Sequence, residues 1–265
     1  MKTIFLTGAT DGIGFVAAQK LGAEGHRLLI HGRDPKKLER ASKKIAGAPE
    51  TYLADLSNLE EVALMCQEIK KNVKRLDSVI NNAGVLKTGQ TRTASNRDIR
   101  FEVNTVAPYL IARELLPIIG SDGIVINLSS AAQRPVDIKA LREFKELSDI
   151  EAYAQSKLAI TAWSYAMGRE FEDGPCIAAV NPGSLLATKM VKEGFGIEGN
   201  DVNIGADILV RFVNEPEYSK RTGEYFDNDS GRFAPIHEAA TNDAFIGDLI
   251  KELDRIIAEA SLNSE

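Results

Sequence analysis

Ile4-Phe5-Leu6, followed by Thr7-Gly8-Ala9-Thr10-Asp11-Gly12-Ile13-Gly14, decides how the rest of the chain is read. The apolar triplet suits a buried parallel strand, and the glycines break it into a helix expected to run to about Gly22. In a strand–loop–helix context Gly8 permits a tight turn, Gly12 lets backbone approach a pyrophosphate, and Gly14 lets helix and sheet pack closely. The helix start offers unpaired N–H groups and a positive dipole end to phosphates. Gly8, Thr10, Asp11, Gly12, Ile13 and Gly14 are therefore candidate cofactor contacts. An ordinary glycine-rich turn could carry the same residues. Its place at the first strand of an alternating strand–helix chain favours the nucleotide reading.

The 265 residues suffice for one large α/β domain with a buried sheet, and we expect one domain over 1–265. A hydrophobic fraction of 44% and a charged fraction of 26% are ordinary for a soluble globular protein. The net charge of −6, without a basic block, argues against a nucleic-acid partner. Cys66 and Cys176 form no disulfide or metal pattern, and His26, His31 and His237 are scattered, so no metal is expected. The first strand begins almost at once and no apolar run is long enough to span a bilayer. A cytoplasmic protein without a membrane partner is the expectation.

Arg27 to His31 reads as the second strand, ending in Gly32-Arg33-Asp34-Pro35. An NAD site usually places an acid here, about 20 residues past the glycines, on the ribose 2′-OH. Asp34 has that spacing, but it also suits a helix N-cap with Pro35 at the first helical position. We take it as the cap and give Arg33 the 2′-phosphate of NADP, a charge-assisted contact that suits a guanidinium. Asp11 speaks mildly against a phosphate nearby. NADP(H) is favoured, with NAD(H) as the alternative.

A helix from Lys36 to Ile45, a strand at Thr51-Tyr52-Leu53 and a helix from Leu59 to Val73 follow, the last opened by a Ser57–Glu60 capping box. Asp55 and Leu56 fall at the carboxyl edge of the sheet, where Asp55 is either a loop acid or a contact to the adenine amino group. Ser78-Val79-Ile80 is a fourth strand ending in Asn81-Asn82-Ala83-Gly84, residues that suit close approach to a ribose or a plain polar turn. Arg97 to Ile118 reads as one long helix carrying Asn104. An asparagine inside a helix is mildly disfavoured and invites a reason. Gly123 to Leu128 is the fifth strand and delivers Ser129-Ser130 to the sheet edge.

A helical run from Glu151 to Phe171 then holds Tyr153 and Lys157 one turn apart, so phenol and ammonium share a face. A lysine beside a tyrosine favours the phenolate and would lower a pKa that starts near ~10, making Tyr153 a general acid/base. Alone, such a pair is usually a half-exposed helix face.

In order along the chain, Thr7-Gly8-x-x-x-Gly12-x-Gly14, Asn81-Asn82-Ala83-Gly84, Asn104, Ser129-Ser130, Tyr153-x-x-x-Lys157 and Asn181-Pro182-Gly183 resemble the short-chain dehydrogenase/reductase family over nearly the whole sequence. The resemblance implies that Ser130 orients a carbonyl, Tyr153 is the acid/base, and Lys157 binds the nicotinamide ribose and lowers the tyrosine pKa. It implies a proton-relay water at Asn104 and cofactor contacts at Pro182, Gly183 and Thr188; Thr188 alone would read as a helix start. The Tyr–Lys spacing sets the divergent enoyl reductases aside, and the glycine spacing and chain length set the extended branch aside. The long stretch from Gln133 to Asp149 and the Ser156-Lys157-Leu158 run look like the retinol-dehydrogenase-like branch.

Residues 185–200 mix Leu185, Leu186, Met190, Val191 and Phe195 with charges and glycines, which fits a mobile lid over a substrate cleft or an ordinary surface connection. Cys176 to Val180 is a sixth strand, Val202 to Val213 a helix, Gly223 to Phe226 an edge strand and Pro235 to Asn242 a loop. Phe245, Leu249, Leu253, Ile256 and Ile257 mark a final helix face expected to pack on the sheet. The expected fold is a doubly wound α/β parallel sheet of order 3-2-1-4-5-6-7. The expected activity is NADP-dependent hydride transfer between nicotinamide and an aldehyde, ketone or alcohol. A dinucleotide-binding sensor or scaffold without turnover is the alternative, separable by following NADPH absorbance across a panel of carbonyl compounds. Substrate identity stays open. The helices at 97–118 and 153–172 are surfaces through which such relatives pair, so a homo-oligomer is consistent with the resemblance.

Overall fold

The computed structural model describes residues 1–262, apart from the side chains of Phe195, Ser261 and Leu262. Five parallel strands form its first half: β1 (Thr3–Leu6), β2 (Arg27–Gly32), β3 (Glu50–Leu53), β4 (Leu76–Asn81) and β5 (Ile119–Leu128). They are joined through α1 (Gly12–Ala23), α2 (Pro35–Ser42), α3 (Leu59–Asn72) and a helical stretch of α4 (Ile99–Phe101), a π segment (Glu102–Val106) and α5 (Ala107–Leu115). After β5 come α6 (Ile138–Arg142), α7 (Asp149–Glu170), β6 (Cys176–Asn181), α8 (Lys189–Phe195) and α9 (Asn203–Asn214). β7 (Tyr225–Asp227), β8 (Arg232–Ala234) and α10 (Asp243–Leu262) complete the described chain.

The sheet order is 3-2-1-4-5-6-7-8, parallel throughout except for the antiparallel β7–β8 pair. Its apolar strands are buried on both faces, as βαβ crossovers require. One core layer lies between the sheet and α3, α5 and α7, around Val79, Val125, Ile160 and Trp163. The other lies between the sheet and α1 and α9, around Leu6, Ile30, Leu209 and Phe212. The order reverses between β1 and β4, which places the switch point beside the glycine turn after β1.

Several local expectations are corrected. The expected edge strand at 223–226 is interior, because the three-residue β8 pairs with β7 and takes the edge. The Ser57–Glu60 capping box does not form. Asp55 Oδ1 accepts hydrogen bonds from Ser57 N at 2.9 Å and Ser57 Oγ at 2.8 Å, so the serine is already committed. Asn58 caps α3 instead, accepting from Glu60 N at 3.1 Å. The 97–118 helix is interrupted by the π segment that contains Asn104. Part of the 133–149 connection winds into α6, and the 235–242 loop holds a 3-10 turn at Glu238–Thr241. The final helix packs on α3, α6 and α7 rather than on the sheet. Tyr109 of α5 donates to Asp254 at 2.7 Å, and Arg142 of α6 pairs with the buried Glu252 at 2.6 Å.

Candidate active site

Asp11 begins the glycine loop's helix as its N-cap, accepting from Gly12 N at 2.8 Å. Its carboxylate thus has a structural task at the start of α1 besides lining the cavity. Gly8 has φ +68°, a left-handed conformation that glycine adopts without strain. Asn82 stitches this loop to the end of β4: its Nδ2 donates to Thr7 O at 2.8 Å and Gly8 O at 3.1 Å. Thr7 Oγ1 accepts from Asn82 N at 3.0 Å and Ala83 N at 3.1 Å.

Gly14 backs directly onto that stitch. A Cβ there would stand 2.3 Å from Asn82 Nδ2 and 2.5 Å from Gly8 O. Alanine normally gains roughly 1 kcal/mol over glycine inside a helix, while overpacking costs about 1–3 kcal/mol. With backbone on one side of the clash, the loss wins. Gly14→Ala is expected to lower stability in urea titration and to weaken dinucleotide binding at least tenfold; unchanged binding would refute the packing argument.

A cavity of about 450 Å³ runs from Arg33 past the glycine loop to Tyr153 and Lys157. Gly8, Thr10, Asp11, Gly12 and Ile13 line its centre, and Asp55 and Leu56 stand at the β3 end. Ala83, Gly84, Pro182 and Thr188 line the side nearer Tyr153. Gly14, Asn81, Asn104, Ser130 and Gly183 lie outside that lining. Asn81 turns its amide away, donating to Asn127 Oδ1 at 2.8 Å. Lys37, His31, Val85 and Leu86 line the cavity without having been sequence candidates, and Met190 and Glu193 reach it from the 185–200 segment. Lys37 follows Arg33 by one helical turn, a spacing that could have flagged it.

Asp34 is an N-cap, accepting from Lys37 N at 3.0 Å, and that bond holds its carboxyl below the usual range. Arg33 and Lys37 are left as the basic side chains lining this end.

At the other end, the Ser130 side chain stands close enough to the Tyr153 hydroxyl to lower its pKa, while Ser130 Oγ accepts a hydrogen bond from Ala132 N at 3.1 Å. The carbonyl of Ser130 is held by Gln133 Nε2 at 2.9 Å and the Tyr225 hydroxyl at 3.2 Å. Ser129 is used differently: it donates to Lys157 O at 3.1 Å and shares a 2.6 Å hydrogen bond with Thr161. Lys157 is 3% exposed and its Nζ donates to Leu128 O at 2.7 Å, 5.5 Å from the Tyr153 ring centre.

Electrostatics here differ from the sequence expectation. Burial raises the Tyr153 pKa above its ordinary value, with the Ser130 side chain opposing, although the ring keeps part of its surface open to the cavity. Burial also pushes the Lys157 ammonium down to about 7. A lysine that is itself costly to charge contributes little to stabilising a neighbouring phenolate.

Asn104 has no exposed surface and its amide makes three hydrogen bonds. Its Oδ1 accepts from Val85 N at 2.8 Å, and its Nδ2 donates to Val85 O at 2.9 Å and Ser156 Oγ at 3.0 Å. It therefore ties the loop after β4 to the helix of Tyr153. Upstream, the buried Arg100 pairs with Asp98 and with Asp149 at the start of α7, fixing the two helices together.

Thr188 caps α8, accepting from Val191 N at 3.3 Å, and α8 brings Met190 and Glu193 over the cavity. The ends of this segment are pinched: Ala187 N donates to Asn200 O at 2.6 Å and Asn200 N to Leu185 O at 2.7 Å.

A tyrosine and a buried lysine one helical turn apart, in one cavity with a glycine turn at the switch point, match one family of enzymes. The short chain dehydrogenase profile matches residues 2–196. The chain belongs to the short-chain dehydrogenase family. Members are oxidoreductases acting on CH–OH and C=O groups with a nicotinamide cofactor. The short-chain dehydrogenase chry4 of Gibberella zeae is 29% identical, covering 95% of this chain and 93% of its own. Human retinol dehydrogenase 13 is also 29% identical, over 84% of this chain and 71% of its own. Among solved structures, one from Mycobacterium paratuberculosis superposes with TM-score 0.81 at 23% identity, covering 97% of this chain and 94% of that one. A short chain dehydrogenase from Burkholderia cenocepacia in complex with NADP superposes with TM-score 0.68 at 20% identity, over 85% and 95%. At these identities the structures speak for the fold. No helix among the described residues is long and apolar enough to cross a membrane, and none of their His, Cys, Asp and Glu clusters could hold a metal ion.

Proposed function

We propose that the protein reduces an aldehyde or ketone with NADPH, or runs the reverse alcohol oxidation, at the Ser130–Tyr153–Lys157 cluster. The observation that carries this is that Tyr153 and Lys157, one helical turn apart, line a cavity continuous with the glycine loop, with the Ser130 side chain near the phenol. The residues fit the cofactor: a glycine turn at a helix start for the pyrophosphate, and Arg33 with Lys37 for the 2′-phosphate. When bound, the nicotinamide supplies the hydride taken up by the carbonyl carbon. Ser130 and Tyr153 hold the carbonyl oxygen, and Tyr153 gives it the proton. Lys157 holds the nicotinamide ribose, and Pro182, Gly183 and Thr188 bound the carboxamide end. Asn104 positions the loop after β4 against α7 through Val85 and Ser156, and the second lone pair of its Oδ1 is available to hold a relay water.

The proposed substrate lid is residues 185–200, with Met190 and Val85 supplying apolar surface near the reacting carbon. Consumption of NADPH absorbance with any member of a broad carbonyl panel tests the activity; tight cofactor binding without turnover across the panel would contradict it.

Cofactor choice rests on Asp34 being committed as a cap while Arg33 lines the cavity. A charge-assisted hydrogen bond is worth about 1.5–3 kcal/mol, so Arg33→Ala should weaken NADPH about 10–100-fold and leave NADH nearly unchanged. Equal affinity of the unaltered protein for both cofactors would remove the role of Arg33. Two unpaired, buried thiols, Cys66 and Cys176, fit the reducing cytoplasm; a reporter fusion found outside it would contradict that assignment. Self-association through the helices at 97–118 and 153–172 competes with α10, which packs on α7. A single monomeric species in sedimentation velocity would rule it out.

A further inference from the structure

The penultimate residue of β2 is a histidine with 2% of its surface exposed, and its ring bridges two loops that shape the cofactor cavity. Gly8 N donates to His31 Nδ1 at 3.3 Å, and His31 Nε2 lies 3.0 Å from Ala54 O. The His31 carbonyl also accepts from Ala9 N at 3.0 Å, so one residue holds two successive N–H groups of the glycine loop. Ala54 leads into Asp55 and Leu56, which line the opposite wall.

These partners leave the ring one protonation state. A backbone N–H can only donate and a carbonyl can only accept, so Nδ1 must carry a lone pair and Nε2 a proton. Imidazolium would set an N–H at Nδ1 against the N–H of Gly8. We propose that His31 is a positioning residue for the cofactor: its neutral ring, protonated at Nε2 alone, braces the glycine loop against the loop after β3, and uptake of a second proton releases that brace.

Burial disfavours the charged ring and lowers its pKa, while the Ala54 carbonyl and the nearby Asp55 pull the other way. Arg33, Asp34 and Lys37, on the α2 side, line the same cavity. Binding that requires the neutral ring weakens as pH falls through the imidazole pKa, by up to about tenfold per pH unit. The second ionisation of a phosphate monoester, near pH ~6, also weakens NADPH binding on the acid side whatever residue stands at 31. Comparison with a variant that does not titrate separates the two effects.

The inference rests on the NADPH reading and is tested with the full chain by measuring the NADPH Kd from pH 5 to 8.5. His31→Asn offers Gly8 an acceptor without a titrating group, and His31→Leu offers none. His31→Leu is expected to weaken NADPH at least tenfold at pH 8 while kcat at saturating NADPH changes less than about threefold. His31→Asn is expected to bind more tightly than His31→Leu and to lack the extra acid-side loss of the unaltered protein. Superimposable pH profiles for the unaltered protein and His31→Asn would overturn the proposal, as would undiminished binding by His31→Leu. Should the variants not fold, ¹⁵N NMR of the unaltered protein's imidazole decides: the Nε2–H tautomer at neutral pH is expected, and the Nδ1–H tautomer overturns it. Failure of the unaltered protein to bind NADPH at pH 8 would refute the cofactor reading itself, whereas binding without the acid-side difference refutes only the role of His31.

Discussion

Tyr153→Phe is expected to lower kcat for carbonyl reduction by about 10²–10⁴-fold, the usual worth of a positioned general acid. The ring stays and only the hydroxyl is removed, so packing in α7 and NADPH affinity should change little. A fall in kcat with constant Kd for NADPH is the signature; near-normal turnover would defeat the assignment. The raised pKa of Tyr153 adds a direction-dependent pH profile. Reduction needs the phenol protonated, and a pKa above the ordinary value of about 10 keeps it so throughout the neutral range. Alcohol oxidation needs the phenolate, whose fraction rises about tenfold per pH unit below the pKa. Oxidation should therefore accelerate from pH 7 to 10 while reduction gains nothing from that rise, measured as kcat in both directions.

Lys157→Met is expected to abolish most turnover and also to leave a mark on stability. The ammonium is fully enclosed and its pKa falls to about 7, against about 10.4 for an exposed lysine. Between those values the unfolded chain binds the proton and the folded chain does not, so this group makes stability rise with pH. Its burial cost is complete below about pH 7 and gone above about pH 10.5. Relative to the unaltered protein, the methionine variant should gain stability on going from pH 10 to pH 7, by on the order of a few kcal/mol. Loss of the Leu128 O hydrogen bond is a cost at every pH and does not alter that trend. Urea titrations of both proteins at pH 7 and pH 10 check it, and a pH-independent difference would contradict a lysine held near neutrality.

Where periodicity or spacing reported on a local constraint, the sequence was readable. β1, the glycine loop and α1 follow from an apolar triplet and the special backbone of Gly8, and Asp34 with Pro35 announced the start of α2. Tyr153 and Lys157 share a helix face because α7 has its regular pitch. Competition between partners was not readable. Ser57 could have capped α3, but Asp55 engages it first, and only three-dimensional proximity ranks the two. β8 is too short to carry a pattern of its own and exists because β7 presents an unpaired edge.

Local chain chemistry by itself thus determined the strand–helix alternation, the phosphate-facing turn and the residue types of the reacting cluster. Tertiary structure supplied the physical reason for separating the two serines, since Ser129 is drawn to Thr161 and Lys157 while the Ser130 side chain stands near Tyr153. It also decided that Asn104 braces Val85 and that burial, rather than the neighbouring ammonium, governs the tyrosine. The reason is physical: pitch and turn preference act over a few residues, whereas desolvation and hydrogen-bond satisfaction depend on what the rest of the chain packs around each group.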